Sequence, residues 1–147
     1  MSGQYYTFRI DGPVMPYVRM TNKGKFVKYT KNGKGELVPS RQALYLADKD
    51  RIVWAYREQM NRAGWTPFPS GVPLAFIVDY YAPPRKAHVG DTDNILKALK
   101  DAAQGVVFAN DCWVDADSIL RRVVRRIPSH ALVLVARLDE VEWPVTR

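Results

Sequence analysis

The run Leu74–Tyr81, LAFIVDYY, constrains the fold more than any other segment of the chain. It is nearly continuous in apolar, β-branched and aromatic residues. Three prolines lie in the stretch from Thr66 to Pro73 before it, and Pro83-Pro84 follows it. A short apolar run between such breakers reads as a strand, because a helix of that length would be too short to stand between them. A strand apolar at successive positions is expected in the middle of a sheet with both faces covered. The rest of the chain must supply its neighbours and its cover.

Tyr5–Ile10 (YYTFRI) has the composition of a second strand, ended by Asp11-Gly12-Pro13. A long helix is expected over Arg41–Ala63. Ser40 can cap it, Gly64 can end it, and Ile52, Val53, Tyr56, Met60 and Ala63 recur at helical spacing. A second helix is expected over Thr92–Ala103, followed by irregular chain from Gly105 to Val114. Ile119–Ile127 and Ala131–Leu138 are β-rich. The short Pro128-Ser129-His130 link between them predicts an antiparallel hairpin. Tyr17–Leu37 is rich in glycine and lysine around two β-prone pieces, Tyr17–Met20 and Phe26–Tyr29. It reads as a hairpin or loop, a flexible basic flap at 17–37. The order of elements predicts one α+β domain over residues 1–147, a mixed sheet packed against two helices.

Charge narrows the partners. The formal net charge is +7, which favours a polyanion, with nucleic acid first. The distribution is more telling. From Tyr17 to Lys34 there are six cations and no acid, and from Ser118 to Leu138 five arginines and no acid. The candidate DNA contacts are Arg19, Lys25, Lys28 and Lys31 in the flap, and Arg121, Arg122, Arg125 and Arg126 in the later strand. The plainer readings are a solvated loop and arginines paired with Asp115 and Asp117. Strand alternation would put two of those four arginines on each face. The one cysteine, Cys112, can form neither an internal disulfide nor a cysteine zinc site, and an inert thiol in a reducing compartment is expected. Neither a secretory signal nor a membrane span is expected, and a cytoplasmic, nucleoid-associated protein follows.

Acids gather where the cations do not. Gly90-Asp91-Thr92-Asp93-Asn94 opens the second helix, with Lys97 and Asp101 each four residues further along one face. Hard divalent cations need several oxygen ligands close together, and Asp91 and Asp93 can offer two. Asp101 lies about 12 Å along the axis from Asp93 at 1.5 Å per residue, so it suits a partner for Lys97 or a backbone group better than the same metal. The competing reading is structural: Asp caps first turns, and acid–lysine spacing of four stabilises solvated helices. A second acidic group, Asn110-Asp111 with Asp115 and Asp117 behind it, could return to the helix mouth and complete a carboxylate site. Phe108 and Trp113 flank that turn and read as core more readily than as wedges between bases. His88 reads as an exposed loop residue, and His130 has no evident role.

Taken together, Asp91, Asp93, Asn94, Lys97, Asp101, Asn110-Asp111 and Val114, with the arginine-rich strand behind them, resemble the RusA family of Holliday junction resolvases. That family's pattern is Asp-x-Asp-Asn-x-x-Lys-x-x-x-Asp, a short spacer, then Asp-Asp-x-x-Val. The likeness is dense over Asp91–Ile127 and looser over the first forty residues, where Gly12-Pro13-Val14, Pro16, Arg19 and Tyr29-Thr30 are similar. The resemblance implies a homodimer, often prophage-encoded, that resolves four-way DNA junctions by paired symmetric nicks with Mg2+, or Mn2+ in its place. It implies that Asp91, Asp93 and Asp111 are the metal carboxylates and Lys97 the essential cation. Asn94, Asp101 and Asn110 would support them. Asn110 replaces the first acid of the family's pair, so it brings an oxygen but no charge. Two alternatives remain open: a related nuclease acting on other branched DNA, and a non-catalytic basic module whose acids only cap a helix.

Overall fold

The structure is a computed structural model that describes residues 5–19, 28–84, 92–109 and 118–138. Along the chain run β1 (Tyr5–Asp11), β2 (Tyr29–Lys31), β3 (Leu37–Pro39), α1 (Arg41–Ala63), β4 (Leu74–Ala82), α2 (Thr92–Ala103), β5 (Ser118–Arg125) and β6 (His130–Arg137). The apolar run becomes β4 and does lie inside a sheet, of order β1-β6-β4-β5. β6 is antiparallel to both β1 and β4, while β5 is parallel to β4. The fold is therefore the expected α+β type with a mixed sheet and two helices.

One face of the sheet builds the core. Tyr6, Phe8 and Ile10 of β1, Phe76, Val78 and Tyr80 of β4, and Val133 and Val135 of β6 are buried there. The register explains the common face: Phe8 pairs with Val133, and Phe76 with Val135. Against them pack Ile52, Tyr56 and Met60 of α1 and Ile95, Leu99 and Ala102 of α2. Phe8 meets Tyr56 edge to face at 5.0 Å, and the Tyr56 hydroxyl donates to the Leu99 carbonyl at 3.0 Å, tying the helices together beneath the sheet. Phe108 is buried and meets Phe76 at 6.2 Å, so it is core and not a wedge. Trp113 and His88 lie outside the described residues. No helix among the described residues is long and apolar enough to cross a membrane.

α1 has the expected bounds for the expected reasons. The Ser40 hydroxyl accepts from the Ala43 N–H at 3.1 Å, and Gly64 ends the helix at φ 70°. Its buried stripe is shifted: Tyr45 belongs to it, and Ala63 is exposed.

Three expectations are corrected. The β5–β6 hairpin does not form, because β4 lies between the two strands. Parallel neighbours need a crossover, and α2 supplies one that delivers β5 to the side of β4. The short link after β5 crosses the end of β4, with the Arg126 N–H on the Ala82 carbonyl and the Ser129 hydroxyl on the Tyr81 carbonyl. Second, among the described residues β4 is fully covered on one face only. Among the described residues the other face, with Ile77, Asp79 and Tyr81 half-buried and Leu132 exposed, stays partly open. Third, the flap does not begin at Tyr17. Val14 and Val18 are buried, and Tyr17 packs against the core. In the described part of the flap, the paired strands are β2 and β3, later than the β-prone pieces suggested. The Ser40 N–H bonds the Lys28 carbonyl at 2.8 Å, anchoring this hairpin at the start of α1.

Leu99 and Leu37 separate core from hairpin energetically. Leu99 is fully buried and Leu37 is 70% exposed. Leu99→Ala is expected to lower unfolding free energy by about 2–5 kcal/mol, and Leu37→Ala by no more than about 0.5 kcal/mol. Urea denaturation of the two variants measures both.

Candidate functional site

α2 is two-sided. Ile95, Ala98, Leu99, Ala102 and Ala103 are buried, whereas Asp93 and Lys97 are exposed. Asp93 sits in the first turn, where the positive end of the helix dipole favours a carboxylate. Lys97 is one turn further on the same face. The chain leaving β1 is laid across this face. The Tyr17 N–H donates to the Asn94 carbonyl at 3.0 Å, and the Lys97 ammonium lies over the Tyr17 ring, 4.6 Å from its centroid. Further back, the Met15 N–H donates to Asp48 Oδ2 at 2.9 Å, and Arg51 holds the other oxygen of that carboxylate. Arg51 also donates to the carbonyls of Asp11 and Pro13. The segment is thus fastened to α1 at one end and to α2 at the other.

Asp101 does not partner Lys97. Its Oδ2 accepts from the Tyr45 hydroxyl at 2.8 Å and pairs with the Lys49 ammonium at 3.2 Å, both on α1. The reason lies in the helix packing: α1 passes close enough to offer a phenol and an ammonium together. Burial, and then the bond to Asp101, push the Tyr45 phenol well above the usual tyrosine range. It stays a proton donor at neutral pH and is no candidate base. The Tyr45 ring also meets the Tyr17 ring edge-on, at 5.5 Å and 77°.

The other expected site residues divide into two groups. Asp91, Asn110 and Asp111 lie outside the described residues, as do Asp115, Asp117 and Lys25. Among the described residues no group of three metal-ligating side chains forms, and Asp93 is the member of the expected set that is described. Three of the four arginines at the end of the sheet have contacts within it. A register shift between Val78 and Asp79 interrupts the regular alternation expected along β5. Arg121 forms a two-pronged pair with Asp79, at 2.9 and 2.5 Å. That pair holds the guanidinium firmly protonated and commits it to the sheet. Arg125 donates to the Pro83 carbonyl at 2.8 Å, and Arg126 lies over the Tyr81 ring at 5.9 Å. Arg122 is exposed, and among the described residues no side chain partners it. Arg19, Lys28 and Lys31 are exposed. His130 is buried and stacked on Tyr81 at 4.5 Å.

Tyr17, Tyr45, Lys49 and Asp48 did not stand out in the sequence. The one local signal was the four-residue spacing of Tyr45 and Lys49, which puts them on one face of α1. Nothing in the spacing says that this face meets α2.

The family model described as endodeoxyribonuclease RusA matches residues 17–129, well over half of the chain. No curated protein matches it.

The clamp on Asp101 has a measurable signature. Tyr45→Phe removes one neutral donor and leaves Lys49 in place, so it is expected to cost about 0.5–1.5 kcal/mol. Asp101→Ala strands the buried Tyr45 hydroxyl without its acceptor and is expected to cost more, about 1–3 kcal/mol. Paired urea midpoints, with the double variant to close the cycle, test the order.

Proposed function

The chain belongs to the RusA family of endodeoxyribonucleases, and from that premise we propose that it resolves four-way DNA junctions by paired symmetric nicks. The observation that carries this reading is the solvent face of α2. An acid at the helix mouth and a lysine one turn on, Asp93 and Lys97, are both exposed beside a core-packed stripe. The third charged residue of that face, Asp101, is turned to α1.

We assign Asp91, Asp93 and Asp111 as ligands of a divalent cation, Mg2+ or Mn2+. An all-oxygen, strongly anionic set suits such hard ions, and Asp93 is exposed in the first turn of α2. When bound, the cation supplies polarisation of a phosphoryl oxygen and activation of water. Lys97 presents its ammonium to the phosphate and offsets charge that builds in the transition state. Asn94 fixes the adjoining chain through its carbonyl, and Asn110 offers an uncharged oxygen. The exposed cations Arg19, Lys28, Lys31 and Arg122, with Lys25, hold the phosphates of the arms. Arg121, Arg125 and Arg126 shape the sheet edge beside them.

Two nicks related by symmetry need two sites related by symmetry. A homodimer with a two-fold axis matches the approximate two-fold symmetry of the junction and presents equal sites to opposing strands.

Asp91→Asn, Asp93→Asn and Asp111→Asn are each expected to abolish cleavage of a synthetic four-way junction while gel-shift affinity persists. EDTA is expected to do the same to the wild type. Cleavage by any one variant at the wild-type rate removes that residue from the ligand set. Binding with no cation-dependent cleavage under any condition would identify a binding module instead, and equal cutting of flapped DNA would widen the substrate class. Lys97→Met is expected to slow cleavage by about a hundredfold to a thousandfold, with thermal midpoint and junction affinity nearly unchanged.

Salt titration tests the flap. Affinity should fall with rising salt, with a log–log slope of about −0.9 per phosphate neutralised on duplex arms. Lys25, Lys28 and Lys31 changed together to alanine should flatten the slope, and an unchanged slope would show that the flap does not touch phosphate.

A further inference from the structure

We propose that Tyr17 is a positioning residue for Lys97, and that its ring face sets where the ammonium points. The inference rests on the reading of Lys97 as the cation at the reacting phosphate. It adds a residue from outside the helix, and a physical reason for the arrangement around it.

A lysine on a helix surface carries a flexible stem, and holding its head in one place costs rotamer freedom. A carboxylate would hold the head most strongly, but it would also neutralise the charge and occupy N–H donors. Two carboxylates lie one turn from Lys97, Asp93 before it, assigned above to the cation, and Asp101 beyond it. In this structure Asp101 is already taken by the Tyr45 hydroxyl and the Lys49 ammonium. Lys97 meets an aromatic face instead, at 4.6 Å from the ring centroid, within the range where the ring's negative face attracts a cation. A π face steers an ammonium without consuming its positive charge, and donors not aimed at the ring remain available.

The ring is itself held. Its backbone N–H is bonded to the Asn94 carbonyl in the first turn of α2, so the ring is indexed to the same helix that carries Lys97. Tyr45 backs it edge-on at 5.5 Å, and Tyr45 is fixed by its bond to Asp101. Val18, the next residue, is buried. The four side chains form one support, Asp101 to Tyr45 to Tyr17 to Lys97. Asp101 therefore acts on Lys97 through two aromatic rings and not through a salt bridge.

A fluorinated series tests this without changing shape. Phenylalanine and its mono-, di- and trifluorinated forms are placed at position 17 of the full chain, in the wild-type and Lys97→Met backgrounds. Each fluorine drains the ring face that attracts a cation but leaves its packing nearly unchanged. Cleavage of a four-way junction at saturating enzyme is expected to fall stepwise, by about fivefold to tenfold across the series. Junction affinity and thermal midpoint should hold. In the Lys97→Met background the series should be flat. Ring-current displacement of the Lys97 ε-methylene resonance, present with tyrosine or phenylalanine and lost in Tyr17→Leu, gives a readout independent of activity. A rate indifferent to fluorination, with Lys97→Met impaired, would overturn the role of Tyr17 and leave that of Lys97 standing. A Lys97→Met protein that cleaves at the wild-type rate would overturn both.

Discussion

The bond between α1 and α2 at Asp101 governs the geometry of this domain's polar edge. Beneath it the helices meet mainly through apolar groups, which tolerate sliding, with the Tyr56 hydroxyl on the Leu99 carbonyl as a second polar tie. Asp101 does not tolerate it, because one carboxylate oxygen must satisfy a phenol and an ammonium at once. Tyr45 is buried, and a buried hydroxyl without its acceptor is costly. Moving α2 by one turn, about 5.4 Å, would strand that hydroxyl and expose Ile95 and Leu99. Register between the helices is thus fixed by a polar contact, while the strength of the packing comes from the core beneath. The same contact decides the environment of Lys97, which would otherwise find Asp101 within reach.

The sheet carries a comparable division. β4 is central because it is the most apolar segment, and β5 takes the edge because it is the most cationic. An edge strand offers unpaired backbone groups to other chains, and charged side chains guard against that. The arginines of β5 do more than guard. Arg121 is drawn onto Asp79, a carboxylate otherwise half-buried on β4, and the extra residue in the strand lets it reach. A strand that looks like a row of phosphate contacts is therefore partly a clasp for the sheet, with Arg122 facing outward beside it.

Local chemistry was legible in the sequence, and non-local chemistry was not. Ser40, Gly64 and the apolar period between them bounded α1, because caps and amphipathic faces act over a few residues. The breakers around Leu74–Tyr81 gave β4 its place. The pairing of β5 was misread because a short link usually means a hairpin, whereas the crossover through α2 had already set β5 beside β4. At the site, Asp93 and Lys97 were placed correctly on one helical face. Asp101 was given the wrong partner, since Tyr45 lies 56 residues away and no spacing rule reaches that far. Tyr17 was hidden for a further reason: beside Arg19 and the lysines it looked like flap, and only its packing against the core and the burial of Val18 set it apart.

The choice of lysine at position 97 follows from its surroundings. An arginine would lay its planar guanidinium flat on the Tyr17 ring, with its charge spread over the plane. Stacked in that way it would bind a phosphate by two fixed N–H bonds, as ground-state recognition requires. A lysine ammonium is a compact charge with donors arranged about one atom, so it can meet the ring on one side and a shifting phosphate oxygen on another. That geometry favours an oxygen whose charge and position change during reaction over one already settled in a complex. Lys97→Arg keeps the formal charge and loses that property. On the proposed role of Lys97, electrostatic recognition of DNA is expected to survive such an exchange, whereas stabilisation confined to the transition state is expected to be lost.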